Sequence, residues 1–192
     1  MTSIYLAIFF LALSIAMIVS FNKFIKLRNL VKEAWSLIDV QLKLRYELIP
    51  NLVNTVKAYT THEQNILRDI SALRAKAMES STPNGKSLSE GVLSDKLAQL
   101  MITIENYPEL KADQHFLKLQ EQLYTVENQI QMARRYYNGA VRNNNIAVQS
   151  FPANLLAAVF NFKNYDFFEL DSLEERKSLE LSFQDEVDEA DY

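Results

Sequence analysis

No cysteine occurs in the 192-residue chain, so disulfide frameworks, thiolate zinc sites, iron–sulfur clusters and cysteine nucleophiles are excluded at once. Three glycines and four prolines are too few to punctuate a many-stranded sheet or to build a phosphate-cradling loop, which favours long helices. Histidine is nearly absent as well. A di-iron site in a helix bundle needs Glu-x-x-His on two helices, yet Tyr59 stands three residues before His62 and Ala112 three before His115. No metal or cofactor is therefore expected. The nucleophile elbow Gly-x-Ser-x-Gly and the zinc motif His-Glu-x-x-His are also missing, so no catalytic residue is expected and the chain reads as a non-enzyme. Twenty basic residues against 24 acidic ones leave a net charge of -4, which removes the basic footprint of a nucleic-acid partner.

Charge is also missing from Met1 to Asn22, and within that stretch Ile4 to Phe21 is almost uniformly apolar. At ~1.5 Å rise per residue, roughly 20 such residues cross a hydrocarbon core of about 30 Å. No basic segment precedes the run and no small-x-small cleavage site follows it, so it does not read as a removed signal peptide. Residues 1–22 are expected to be a transmembrane anchor that meets the lipid bilayer through residues 4–21. Lys23, Lys26, Arg28 and Lys32 follow, and the positive-inside bias places the bulk of a single-pass protein in the cytoplasm, with the amino terminus outside the cell membrane.

Beyond the anchor the apolar positions recur at alternating steps of three and four. Val31, Trp35, Ile38, Leu42, Arg45, Ile49, Leu52, Val56, Tyr59, Glu63, Ile66, Ile70, Leu73 and Ala77 keep phase as a heptad seam. Pro50 is the expected bend in this long helix, with a capping box at Thr60 and Glu63 as the other place to restart. A turn-rich cluster spans Ser80 to Lys86, and Ser87 with Glu90 reads as a second capping box that starts a helix through Leu93, Leu97, Leu100 and Ile104. Tyr107-Pro108 interrupts it. The next seam is Phe116, Leu119, Leu123, Val126, Ile130, Ala133, Tyr137, Ala140 and Asn144, closed by Phe151-Pro152. Asn154 to Phe162 then predicts a short apolar helix capping one end. With no useful β-type alternation and only short connections, the fold is expected to be all-α, an up-and-down bundle of long helices.

The carboxyl end is a separate object. Residues 166–192 hold eleven acids against Arg176 and Lys177, a balance of -9 that leaves +5 for the rest of the chain. Residues 170–192 are read as an acidic, disordered tail.

Polar residues in the seams give the only site-like signal. Arg45, Glu63 and Asn144 fall at seam positions, where a lone buried charge would cost several kcal/mol without a partner. They fix helix register, or their stems reach back to the surface. The sharper alternative is a polar groove shared by Asp39, Arg45 and Arg134 that holds a partner's carboxylate or phosphate.

The segment Leu27-Arg28-Asn29, then Ala34-Trp35-Ser36-Leu37-Ile38-Asp39-Val40-Gln41-Leu42-Lys43 and Leu48-Ile49-Pro50-Asn51-Leu52-Val53, resembles the signature of the LemA family of bacterial membrane-anchored proteins. Further matches are Tyr107 to Ala112, Leu117 to Glu121, Ala133 to Asn138, Val141-Arg142, and Phe151-Pro152 followed by Phe168-Glu169. The resemblance covers residues 20–169. It implies one amino-terminal transmembrane helix followed by an antiparallel four-helix bundle over residues 23–169, with no established catalytic activity or cofactor. A relative in magnetosome membranes implies a role in membrane organisation. The chain departs from the pattern at Ala58, where the family often has glycine, and in its acidic extension after Phe168.

Two function classes follow. The first is a non-enzymatic, membrane-tethered interaction or scaffold protein whose cytoplasmic bundle presents helical faces to an unidentified protein partner and to copies of itself. The second is an accessory or regulatory subunit of a membrane enzyme or stress-response system.

Overall fold

A computed structural model describes residues 1–60 and 63–169. The expected disordered tail, residues 170–192, and His62 lie outside the described residues. Helix accounts for 86% of the described residues, and no strand occurs among them. The elements are α1 (Thr2–Tyr59), α2 (Gln64–Glu79), α3 (Pro83–Ile104), α4 (Pro108–Lys111), α5 (Gln114–Gln149) and α6 (Ala153–Val159). They form two compact units. Met1–Leu44 and Thr125–Phe167 make the first, and Arg45–Tyr124 with Phe168 and Glu169 the second.

In the first unit α1 and α5 together supply the core. Phe24, Val31, Ala34 and Ile38 are buried from α1, and Ile130, Ala133, Tyr137, Ala140 and Val141 from α5. Trp35, a seam residue, is only half-buried, with its ring edge-on to Tyr137 at 5.3 Å between centroids. The chain then turns back at a cis Phe151–Pro152 bond into α6. This short helix ends in a Schellman motif. Asn161 takes φ 56°, Phe162 N–H donates to Ala157 O at 2.9 Å, and Asn161 N–H to Ala158 O at 3.3 Å. Asparagine tolerates that left-handed position better than a branched residue.

In the second unit α2 and α3 pack together through Ile66, Ile70 and Ala77 on one side and Leu93, Leu97, Leu100 and Ile104 on the other. Lys96 Nζ meets Asp69 Oδ2 at 3.3 Å on the rim. Three sequence expectations are resolved here. First, of the two places expected for α1 to kink or restart, the helix runs on through Pro50 and ends at Tyr59, so the restart falls near Thr60. The proline is exposed, and the carbonyl it deprives of a donor, that of Tyr46, accepts from Arg74 instead. Second, Thr60 and Glu63 form no capping box. Thr60 Oγ1 donates back to Val56 O at 3.1 Å, ending α1, while the Glu63 side chain caps nothing and accepts from the Tyr107 hydroxyl at 3.1 Å. Third, α3 starts before Ser87. Thr82 is its N-cap, accepting from Gly85 N–H at 3.2 Å, and Pro83 fills the first turn, where a missing N–H costs nothing.

Candidate functional site

Arg45 is the deepest charged side chain of the second unit. The α1 seam places it between Leu42 and Ile49, and it is only 1% exposed. A guanidinium so deep needs partners, because its desolvation outweighs any gain from packing its stem. The α3 helix supplies them: Nη2 pairs with Glu90 Oε2, and Nη1 donates to Ser94 Oγ at 2.8 Å. The Tyr46 hydroxyl donates to the other carboxylate oxygen, Glu90 Oε1. One positive and one negative charge therefore cancel inside the unit, with both carboxylate oxygens engaged. Such a constellation ties α1 to α3 at one register. It presents no activated nucleophile, since the acid is held by two donors and the base is a guanidinium.

Glu90 was hidden from sequence reasoning by its spacing from Ser87, which imitates a capping box. The signal that finds it is the α3 seam carried backward: three residues before Leu93 lies Glu90, and three before that Ser87, and both are buried.

The other two residues of the expected groove lie in the first unit, Asp39 exposed on α1 and Arg134 half-buried on α5, where its Nη1 is 3.5 Å from Gln131 Oε1. Asn144, also a seam residue, is 1% exposed. Its Nδ2 donates to Lys163 O at 3.0 Å. Beside it Asn145 donates to Tyr165 O and accepts from Tyr165 N–H, both at 2.9 Å, and the Tyr137 hydroxyl donates to Asp166 O at 2.9 Å. These side chains clamp the extended segment 163–166 along α5. Burial, then the charge of Asp166, pushes the Tyr137 phenol up to about 12.

At the start of α5, Asp113 Oδ1 accepts from Phe116 N–H at 2.8 Å, and Oδ2 accepts from the Tyr59 hydroxyl at 2.9 Å. The helix N–H, then the phenol, hold the carboxyl below its usual range, while the same contact raises the Tyr59 phenol. Among the described residues no group of three or more His, Asp or Glu side chains is placed to hold a metal ion, and His115 is exposed.

A sequence profile described as the LemA family matches residues 34–183. The chain is similar to Magnetosome protein MamQ 2 of Paramagnetospirillum magneticum, 22% identical over 80% of this chain and 66% of that protein. It is similar to Magnetosome protein MamQ of Magnetospirillum gryphiswaldense at 22%, over 79% of this chain and 65% of the relative. Protein LemA of Metamycoplasma hominis is 23% identical over 80% of this chain and 70% of its own length. The chain thus spans just under two thirds of the length of its magnetosome relatives.

Proposed function

The chain belongs to the LemA family, and from that premise we propose that it is a non-enzymatic, membrane-tethered interaction or scaffold protein. The observation that carries this reading is α1 itself. Its most apolar 18-residue window has no share buried, whereas the same helix continues without a break into a buried seam. An uncharged surface of that length is costly in water and favourable in a bilayer.

In this proposal residues 1–22 anchor, residues 23–169 form an up-and-down four-helix bundle, and 170–192 are an acidic extension. Antiparallel packing of α1 and α5 is supported by falling partner numbers, since Phe24 clusters with Ala147 and Trp35 with Tyr137. Lys23, Lys26, Arg28 and Lys32 support a cytoplasmic bundle. Arg45 serves helix register rather than a partner's anion, because it already has Glu90. Relatives named for an organelle, the magnetosome, rather than for a reaction support a non-catalytic role.

Crosslinking and pull-down of the full chain from intact membranes tests the reading. Recovery of chiefly self-contacts supports a scaffold, and a stoichiometric enzyme partner replaces it with an accessory subunit. Release of the chain by alkaline carbonate would overturn the tether. Protease added to sealed cells should leave the carboxyl end uncut; cleavage there would reverse the orientation.

A further inference from the structure

We propose that α6 and its flanks, Phe151 to Phe160, form a second membrane-inserted element, packed among lipid acyl chains beside the spanning part of α1. This rests on the reading that α1 crosses the bilayer.

Four large apolar side chains on this short stretch face outward: Phe151 is 81% exposed, Leu155 60%, Val159 76% and Phe160 45%. The opposite face is satisfied, with Ala157 buried against Phe24 and Ala147. What covers the outward face is indicated by its neighbour. Leu155 and Leu156 line one cleft with Leu13, Ala16, Met17 and Ser20, all within the apolar run of α1. Phe160 meets Phe21 edge-on at 4.9 Å between ring centroids. Leu13 precedes Lys23, the first charge of the chain, by ten residues, or ~15 Å along a helix. A helix lying beside Leu13 to Ser20 is therefore at acyl-chain depth whenever that part of α1 is.

The charge pattern agrees independently. No Asp, Glu, Lys or Arg occurs from Asn143 to Phe162, although charged residues make up 23% of the chain. Arg142 and Lys163 bound this stretch. Phe162 stacks on Phe24 at 4.8 Å, next to Lys23, so the re-entrant stretch leaves the apolar zone at the level where α1 does. Backbone groups at that depth must find partners within the protein. The Schellman motif supplies two, Phe160 N–H donates to Leu156 O at 3.0 Å, and Ser150 gives both its N–H and its hydroxyl to Ile146 O at 2.9 and 2.6 Å.

A chain without cysteine suits a direct test. Single variants Leu155→Cys and Val159→Cys, with Leu11→Cys as a reference in the span and Lys118→Cys as an exposed reference on α5, are made in the full chain. Each carries a small fluorophore in vesicles of phosphatidylcholine and phosphatidylglycerol with brominated acyl chains. Quenching at Leu155 and Val159 should reach at least half that at Leu11 and exceed that at Lys118 several-fold. Quenching at the Lys118 level while Leu11 is strongly quenched overturns the inference and leaves the anchor standing, and this is also the outcome if a second copy of the chain covers α6. Weak quenching at Leu11 as well overturns both.

Discussion

Arg74 Nε donates a hydrogen bond of 2.7 Å to the backbone oxygen of Tyr46, the carbonyl four residues before Pro50. In an uninterrupted helix that oxygen would accept from residue 50, but proline has no N–H to give. A side chain from α2 thus replaces a helix bond of α1. The two effects are coupled, so Arg74→Met should destabilise by about 1–2 kcal/mol in the native background and by ~0.5–1 kcal/mol less once Pro50→Ala restores the donor. A double-mutant cycle by urea unfolding reads the coupling, and equal costs in both backgrounds would show that Arg74 does not serve the orphaned carbonyl.

Arg45 and Glu90 should behave as a unit. Removing one partner, as in Arg45→Met or Glu90→Leu, strands a buried charge and should cost ~3–5 kcal/mol. The double variant removes both charges and should recover most of that loss, because hydrophobic replacements of a buried pair are often neutral. Additive costs in the denaturant midpoint would contradict the geometry.

Gly139 lies inside α5, and a Cβ added there meets nothing within 4 Å. Glycine in a helix interior is less favourable than alanine by about 1 kcal/mol. Gly139→Ala should therefore raise the melting temperature by a few degrees; a fall would mean that α5 needs the missing side chain.

Alkaline and acid limbs of stability should differ in origin. Tyr137 keeps its proton to about 12 in the folded state, above the ordinary phenol at 10.0, so its contribution is complete below pH 10 and lost as pH rises toward 12. Asp113 is shifted the other way, below 3.8, so its contribution is present above that value and lost as pH falls through the lowered one. Tyr137→Phe should flatten the alkaline limb of a melting-temperature profile, and Asp113→Asn the acid limb. An unchanged profile in either variant would separate that residue from the corresponding limb.

The seams were legible because burial in helices imposes a period on apolar residues, and Val31, Ile38, Leu42, Ile49, Ile130 and Tyr137 are all buried where that period puts them. Local signals misled where a tertiary contact competed for the same side chain. Glu90 sits at the right distance from Ser87 for a cap but is drawn to Arg45, which lies 45 residues away in sequence. Pro50 reads as a bend, and the donor that serves its orphaned carbonyl is 24 residues downstream on another helix. Asn144 was visible as polar and buried, yet its partner is a backbone carbonyl of an extended segment that no periodicity marks.

The clamp on that segment addresses main-chain atoms alone: Asn144, Asn145 and Tyr137 reach Lys163 O, both backbone groups of Tyr165, and Asp166 O. Side-chain identity at 163–166 is then weakly constrained by the clamp, whereas chain length is strongly constrained, since adding or removing one residue would turn the paired backbone N–H and C=O away from the Asn145 amide. A mutational scan of this stretch should accordingly tolerate exchange of letters and reject changes of spacing.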